Sequence, residues 1–259
     1  MSALLALGRR DFVQARSYRT ALAFDLGWGV VNVLVYYFIS KVFPQAGGLG
    51  KAPSYFAFAF AGILISLVVS STASDVASKL REEQLTGTLE LLVAQPLRSS
   101  DIALGAAVFP SVYALVRVAL YLAVAVSLLD LSTAHTQWAG VVLMLLLSTG
   151  AFLALGIAAA AAVLVLKKVA VVDVAIFAMT FVSGALFPLA VLPGWLRAIG
   201  RVMPTEPAFA GMRAALYGGA YAGDAAILAG VGLVGVPISL VLFARALAYA
   251  KRRGSISEY

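Results

Sequence analysis

The sequence contains no cysteine and only one histidine, at position 135. Disulfide bonds and thiolate metal sites are therefore excluded, and a site with several histidine ligands would need other subunits. Charge is scarce as well, because Asp, Glu, Lys and Arg make up only 12% of the residues, against about a quarter in a typical soluble domain. This low charge content excludes an ordinary soluble fold.

Long apolar runs dominate what is present. Hydrophobic residues make up 62% of the 259 residues, and the mean hydropathy is +0.98. Because a helix that crosses a bilayer needs about 20 apolar residues, the chain has room for roughly six crossings joined by short loops. We therefore predict an all-α membrane protein that forms one domain over residues 1–259. The six predicted spans cover residues 22–43, 54–74, 102–129, 138–166, 170–190 and 226–248.

The distribution of lysine and arginine predicts the orientation of these spans. Six crossings put both termini on the same side, and the tails and loops of that side carry thirteen lysines and arginines, against five on the other side. The positive-inside rule then predicts that both termini are cytoplasmic in the plasma (inner) membrane. The net charge of +7 is explained by the same basic flanks beside anionic lipid, without nucleic acid as a partner.

Two cytoplasmic segments are predicted to lie beside the membrane. Residues 1–20 mix apolar side chains with four arginines, which is typical of an interfacial helix, although a merely basic flank is the alternative. In residues 78–97, Leu85, Leu89 and Leu92 fall at helical spacing before a proline. Such a short amphipathic helix either docks into a groove on a cytoplasmic partner or packs on the underside of its own protein.

The outer segment from Ser183 to Arg213 is too apolar for a free loop and too often broken for a span. Prolines at positions 188, 193, 204 and 207 divide it into short pieces. We predict short helices that dip back into the outer leaflet between spans five and six, with Trp195 at the interface.

Both segments resemble motifs of the ABC-2 family of ABC-transporter permeases. The family's cytoplasmic motif between spans two and three is similar to Glu82, Glu83, Gly87, Thr88, Leu89, Glu90, Leu92 and Pro96. The family's pattern around the outer re-entrant helices is similar to Gly184, Phe187, Pro188, Pro193, Trp195, Leu196, Pro204 and Arg213. The interfacial N-terminal helix and the six spans extend the resemblance over essentially the whole chain.

The resemblance implies the permease of an exporter. Such a permease forms a homodimer or a heterodimer, pairs with two copies of a separate ABC ATP-binding subunit, and uses the segment near 82–96 as its coupling helix. The implied substrate is an amphiphile of the drug, lipid or glycan class, and the outer re-entrant residues act as a gate. ATP and Mg are expected in the partner subunit, and no cofactor is expected on this chain.

The chain has no phosphate-binding loop of its own. Gly47-Gly48-Leu49-Gly50-Lys51 is the nearest stretch, but Gln45 and Ala52 stand where a Walker motif requires glycine and serine or threonine. An ATP-independent secondary transporter or channel is the alternative function. An intramembrane enzyme would need a concentrated set of catalytic groups in the spans, and the sequence has none.

Arg117 lies near the middle of the third predicted span, where an ionisable group is costly. Tyr113 and Tyr121 flank it one turn away on either side and share its helix face. We expect this face to line the translocation path or the dimer seam, which favours an anionic amphiphile as cargo. The alternative is a structural arginine, either buried and satisfied by backbone carbonyls or by a carboxylate, or snorkelling to the interface if the span is shifted.

In the first span, Asn32 shares a face with Asp25 and is assigned to the same path. Asp25 lies near the inner boundary, and we predict that it pairs with Arg19 or Arg81. Asp173 is predicted to pair in the same way with the Lys167-Lys168 turn that precedes it.

Overall fold

A computed structural model describes residues 3–42, 49–166 and 168–252 of the protein. Gln45, Gly47, Gly48 and Lys167 lie outside the described residues, so nothing is said of their structure. The described chain is helical and contains no strand. Its helices are α1 (Ala3–Ser17), α2 (Arg19–Val42), α3 (Tyr55–Val69), α4 (Asp75–Leu85), α5 (Thr88–Ala94), α6 (Ser99–Leu128), α7 (Trp138–Leu166), α8 (Val169–Val182), α9 (Gly194–Val202), α10 (Glu206–Leu216) and α11 (Ala222–Arg252).

Five stretches of the described chain are long and apolar enough to cross a membrane: α2, α6, α7, α11 and the continuous run Tyr55–Leu85. Helix α8 has 14 residues, or roughly 21 Å, which falls short of the about 30 Å of a hydrocarbon core. The predicted fifth span, 170–190, therefore extended too far. The helix ends at Val182 because Gly184 adopts φ +78°, a left-handed conformation that a helix cannot continue through. Six crossings remain a prediction.

The run Tyr55–Leu85 forms the centre of the molecule. The side chain of Ser54 caps its first turn by accepting a hydrogen bond from Ala57 N at 3.1 Å. In the most apolar stretch of this run 78% of the residues are buried, compared with 6% in the corresponding stretch of α2. Helix α7 packs on this run from one side and on α11 along most of its length. The first span is thus the most loosely packed.

A π-helical segment, Ser70–Ser74, joins α3 to α4 without a break. The hydroxyl of Thr72 donates to Val68 O at 2.6 Å, and this side-chain bond competes with the regular backbone ladder. Helix α7 approaches the segment so closely that Gly156 lies against the carbonyl of Thr72. Wide single turns of this kind often occur at functional sites.

A second apolar cluster closes the end of the molecule that holds α4 and α5. Leu80 of α4, Leu89 of α5 and Ile102 of α6 meet there. The N-terminal helix α1 lies beside the start of α6 and is tied to α4 by two ion pairs. These pairs join Arg10 to Glu83 and Asp11 to Lys79.

We predict that Gly156→Ala destabilises the protein by about 1–3 kcal/mol, because the added methyl group would overlap the Thr72 carbonyl, and backbone cannot move aside as a flexible side chain can. Gly150→Ala is the matched control in the same helix, since its methyl group would meet open space. The thermal unfolding midpoint of the purified protein should fall for Gly156→Ala and stay level or rise for Gly150→Ala. Equal midpoints for the two variants would contradict the close approach.

Candidate functional site

A cleft of about 610 Å³ opens between α2, the α3–α4 run, α6 and α8. This volume lies within the range of small-molecule sites. Along the central run the lining residues change from apolar to polar over twelve positions, from Ile63 to Asp75, which corresponds to roughly 18 Å. Helix α8 runs the opposite way, so Asp173 lies towards the Asp75 end and Phe181 towards the Ile63 end.

We name the two ends of the cleft by their residues. The polar end consists of Ser70, Ser71, Ser74, Asp75, Arg117 and Asp173. The apolar end consists mainly of Tyr36, Ile63, Leu67, Phe177, Phe181 and Leu186, with the hydroxyl residues Ser66 and Thr180 among them. The lining of the cleft therefore changes in polarity from one end to the other, which would match the two ends of an amphiphilic molecule.

Arg117 is held at the polar end by groups on two helices. Its guanidinium lies 3.3 Å from the carboxylate of Asp25, which also accepts a hydrogen bond from the Tyr113 hydroxyl at 2.9 Å. Arg117 Nε donates to the Tyr121 hydroxyl at 3.4 Å, and the guanidinium lies 5.5 Å and 6.0 Å from the two tyrosine ring centroids. Gly29 of α2 leaves the space that the Tyr121 hydroxyl occupies.

The structure brings together most of the residues assigned to the path. Arg117, Tyr121 and Asn32 line the cleft, while Tyr113 lies behind them against Asp25. The predicted pairing of Asp25 with Arg19 or Arg81 is wrong, because Asp25 binds Arg117. The two groups reach each other since α2 packs directly on α6. The buried arginine is thus satisfied by a carboxylate, as the structural alternative held, and it still faces the cleft.

The segment 78–97, which the sequence predicted to be cytoplasmic, folds as two helices rather than one. Helix α4 ends at Leu85, Gly87 adopts φ +73°, and α5 begins at Thr88. Leu89 and Leu92 are buried in the second apolar cluster, so the helix does pack on its own protein. Leu85 is 54% exposed, so its predicted place on the same apolar stripe is wrong, because the break at Gly87 turns α5 away from α4.

The segment nonetheless presents a surface of its own. Leu91 of α5 is 67% exposed, and Leu85 at the end of α4 is exposed as well. Among the residues that resemble the family motif, Glu83 is buried and bound to Arg10, and Leu89 and Leu92 are buried. The exposed members are Glu82, Thr88, Glu90 and Pro96. The motif therefore divides into residues that fix the segment and residues that are accessible.

Residues 183–213, which the sequence predicted to lie on the outer side, form short helices between their prolines, and their dip into the outer leaflet stays a prediction. A 3₁₀ turn at Leu189–Val191 follows Pro188, α9 begins directly after Pro193, and α10 has Pro207 in its first turn. Arg197 donates to three carbonyls of the turn and its flank, at 2.7 to 3.2 Å.

The predicted gate residues lie on both faces of this segment. The ring of Phe187 packs edge-on against Phe181 of α8 at 4.8 Å between centroids. Trp195 is 66% exposed, while Pro204 is half-buried between α9 and α10. Nothing in this arrangement tests a gating role, which stays a prediction.

Arg213 has a structural role that the sequence did not reveal. Its guanidinium donates to Gly184 O and Ala185 O, both at 2.7 Å, and to Phe58 O at 3.3 Å. It also lies 3.6 Å from the centroid of the Phe58 ring. Burial lowers the pKa of Arg213 to about 10, so the group remains protonated at neutral pH.

The serines of the cleft were also missed. Ser66, Ser70 and Ser74 are spaced four residues apart and line the cleft together with Ser71. That spacing is visible in the sequence and would have indicated a polar face on an otherwise apolar span.

Comparison with known families gives one match. The family described as ABC-2 type transporter matches residues 2–217, which is more than four fifths of the chain. No curated protein matches the chain significantly.

We predict that Arg213→Lys destabilises the protein by on the order of 2–4 kcal/mol. A single ammonium cannot satisfy three separate carbonyls and stack on Phe58 as the planar guanidinium does. Arg201→Lys is the matched control, since Arg201 is exposed on the neighbouring helix α9. The thermal midpoint should fall for Arg213→Lys and stay unchanged for Arg201→Lys. A loss of the same size in both variants would show that Arg213 is an ordinary surface charge.

We also predict that Asp25 and Arg117 are energetically coupled. Asp25→Asn and Arg117→Gln should each lower the thermal midpoint. The double variant should lower it by less than the sum of the two single decreases. The expected coupling is on the order of 1 kcal/mol, because the carboxylate is 43% exposed and solvent weakens the pair. Strictly additive losses would contradict the ion pair.

Proposed function

This chain belongs to the ABC-2 type transporter family, and from that premise we propose that it is the permease of an ABC exporter that carries an amphiphilic substrate out of the cytoplasm. It is a multi-pass membrane protein, and ABC-2 membrane domains are permease components without an ATP-binding domain. In general such permeases work with an ABC ATP-binding partner. Export, the substrate and the assembly are the parts that we propose.

One observation carries this proposal: the segment around α5 is fixed on one face and exposed on the other. Leu89 and Leu92 anchor it in the second apolar cluster, while Leu85 and Leu91 remain exposed beside it. An anchored segment with exposed apolar side chains suits a groove on another protein, and movement of that protein would push the segment. We therefore propose that α5 and the end of α4 form the coupling helix for an ATP-binding subunit.

We propose an assembly of two permeases and two ATP-binding subunits, in which ATP and Mg bind only to the latter. The two permeases are identical in a homodimer, and a heterodimer is the other arrangement. The poor burial of α2 supports a second membrane subunit beside it. The complex lies in the plasma (inner) membrane. Because the α5 segment faces the ATP-binding subunits, both termini lie in the cytoplasm. Helix α8 and the residues after it complete a sixth crossing.

The cleft supports a path for amphiphiles through this assembly. Its polar end lies on the same side as α4 and α5, and its apolar end reaches Leu186, next to the outer helices. We propose that Arg117, Tyr121 and Asn32 contribute to the wall of the path. The outer segment with Phe187, Pro188, Pro193, Trp195 and Pro204 then forms the gate.

A specific observation favours a second candidate, an ATP-independent secondary transporter. Asp75 and Asp173 both line the cleft, and carboxylates at membrane depth are typical of ion-coupled transport. The exposed apolar surface at Leu85 and Leu91 has no use in that mechanism. The two candidates therefore differ in whether α5 binds another protein.

We predict that Leu91→Glu prevents co-purification of an ATP-binding subunit with the tagged chain from native membranes in mild detergent, because it puts a charge into the proposed apolar contact. Mass spectrometry identifies the co-purifying protein, and an ATPase assay measures its activity. Gly87→Pro should uncouple the ATPase, because proline cannot adopt φ +73° at the turn between α4 and α5.

Ser132→Glu serves as the matched control, because it adds the same charge to an exposed position in the loop between α6 and α7, at the other end of the molecule. It should leave the complex and its ATPase activity intact. A chain that purifies without an ATPase, and that is indifferent to both substitutions near α5, would favour the secondary transporter.

A further inference from the structure

We propose that the cleft binds a cationic amphiphile, with the positive charge at the polar end and the apolar body at the other end. This inference rests on the proposed export function and names the substrate class of the same cleft. It reverses the expectation of an anionic cargo that the sequence raised from Arg117 alone.

The balance of charge is the first argument. Arg117 is the only basic side chain among the described residues that line the cleft, and its charge is already neutralised by Asp25. Asp75 and Asp173 line the cleft as well and form no salt bridge within the described part of the chain, while Lys167, one of the two lysines predicted to pair with Asp173, lies outside that part. With Arg117 and Asp25 cancelling each other, the described residues of the polar end keep a formal charge of −2.

The charged side chains at the polar end are close enough to act on one another. Asp75 lies within electrostatic range of Arg117, Asp25 and Asp173. Two carboxylates that face each other across a cleft repel, and a cation between them removes that repulsion. An anionic group would instead meet two like charges and an arginine that is already occupied.

A buried hydroxyl stands beside one of these carboxylates. Ser71 is 1% exposed and lines the polar end, and the Asp75 carboxylate one turn later is the acceptor near its hydroxyl. Ser71 therefore adds a hydroxyl to the Asp75 side of the cleft and brings no positive charge that would offset the carboxylates.

The apolar end argues against a bare metal ion as the occupant. Tyr36, Phe177 and Phe181 present aromatic rings to the cleft, and Phe181 lies eight residues beyond Asp173 in α8, or about 12 Å. A small hydrated cation makes no use of these walls, whereas the body of an organic cation is removed from water by them. Aromatic faces also attract organic cations that carry little hydration.

The test uses two probes of matched size and shape and opposite charge, tetraphenylphosphonium and tetraphenylborate. Equilibrium binding is measured on the full chain in nanodiscs of phosphatidylcholine, with empty nanodiscs subtracted to remove partition into lipid. We expect saturable binding of the phosphonium, and binding of the borate at least tenfold weaker. Equal binding of both probes, or tighter binding of the borate, would overturn the proposal.

Variants locate the binding. The double change Asp75→Asn and Asp173→Asn should weaken phosphonium binding at least tenfold, whereas Asp75→Glu, which keeps the charge, should retain it. Asp130→Asn is the matched control, because Asp130 is exposed in the loop after α6 and its φ of 52° suits asparagine. Thermal midpoints identify any variant that is misfolded. Unchanged binding in a folded double variant would also overturn the proposal.

This experiment needs no ATP-binding subunit, so its failure is distinct from failure of the proposed function. If the chain binds the phosphonium through Asp75 and Asp173 but drives no ATP-dependent accumulation with its partner, the substrate class stands and the export function fails. If ATP-dependent export is observed and the phosphonium does not bind, the export function stands and the substrate class is wrong.

Discussion

The fold depends on satisfying backbone carbonyls where a helix breaks in an apolar surrounding. Inside hydrocarbon no water replaces a lost helical bond, so an irregular segment is tolerated only where protein groups bind its polar atoms. The chain breaks after α8, at Gly184, and Arg213 binds the carbonyls of Gly184 and Ala185 as well as one in α3. Tyr217 adds a bond from its hydroxyl to Ala57 O at 2.7 Å. Helix α10, the break and the central run are thereby held as one unit, which also fixes the apolar end of the cleft.

The molecule combines a rigid half with a loosely packed half. The central run, α7, α10 and α11 pack through small residues and leave little room, as the contact of Gly156 with the π-helical segment illustrates. Helices α2 and α8, by contrast, are mostly exposed and form the two flanks of the cleft. The cleft thus has a fixed back wall and flanks with few internal contacts. Elements of low packing density are those that move at least cost in free energy, which is what a path that opens and closes requires.

Hydropathy predicted the architecture well where a span is a single straight helix. The bounds of α7 coincide with the predicted 138–166, because its ends are marked by polar residues on both sides. The extent of α8 was wrong because apolarity does not reveal a left-handed glycine. The pairing of Asp25 with Arg117 could not be predicted, since the period of a helix says which residues share a face and not which helices are neighbours. Arg213 shows the same limit: its three carbonyl partners come from two distant segments.

The π-helical segment has a further consequence for how the sequence can change. A π turn equals an α-helix with one extra residue inserted, so the segment offsets the faces of α3 and α4 by about 100°, the rotation of one residue. Deletion of one residue between 70 and 74 would restore a regular helix and turn α4 by that angle. Lys79 and Glu83 would then leave α1, and Leu80 would leave its cluster. The length of this short stretch is therefore under stronger constraint than its composition, and alignments should tolerate substitutions here far better than gaps.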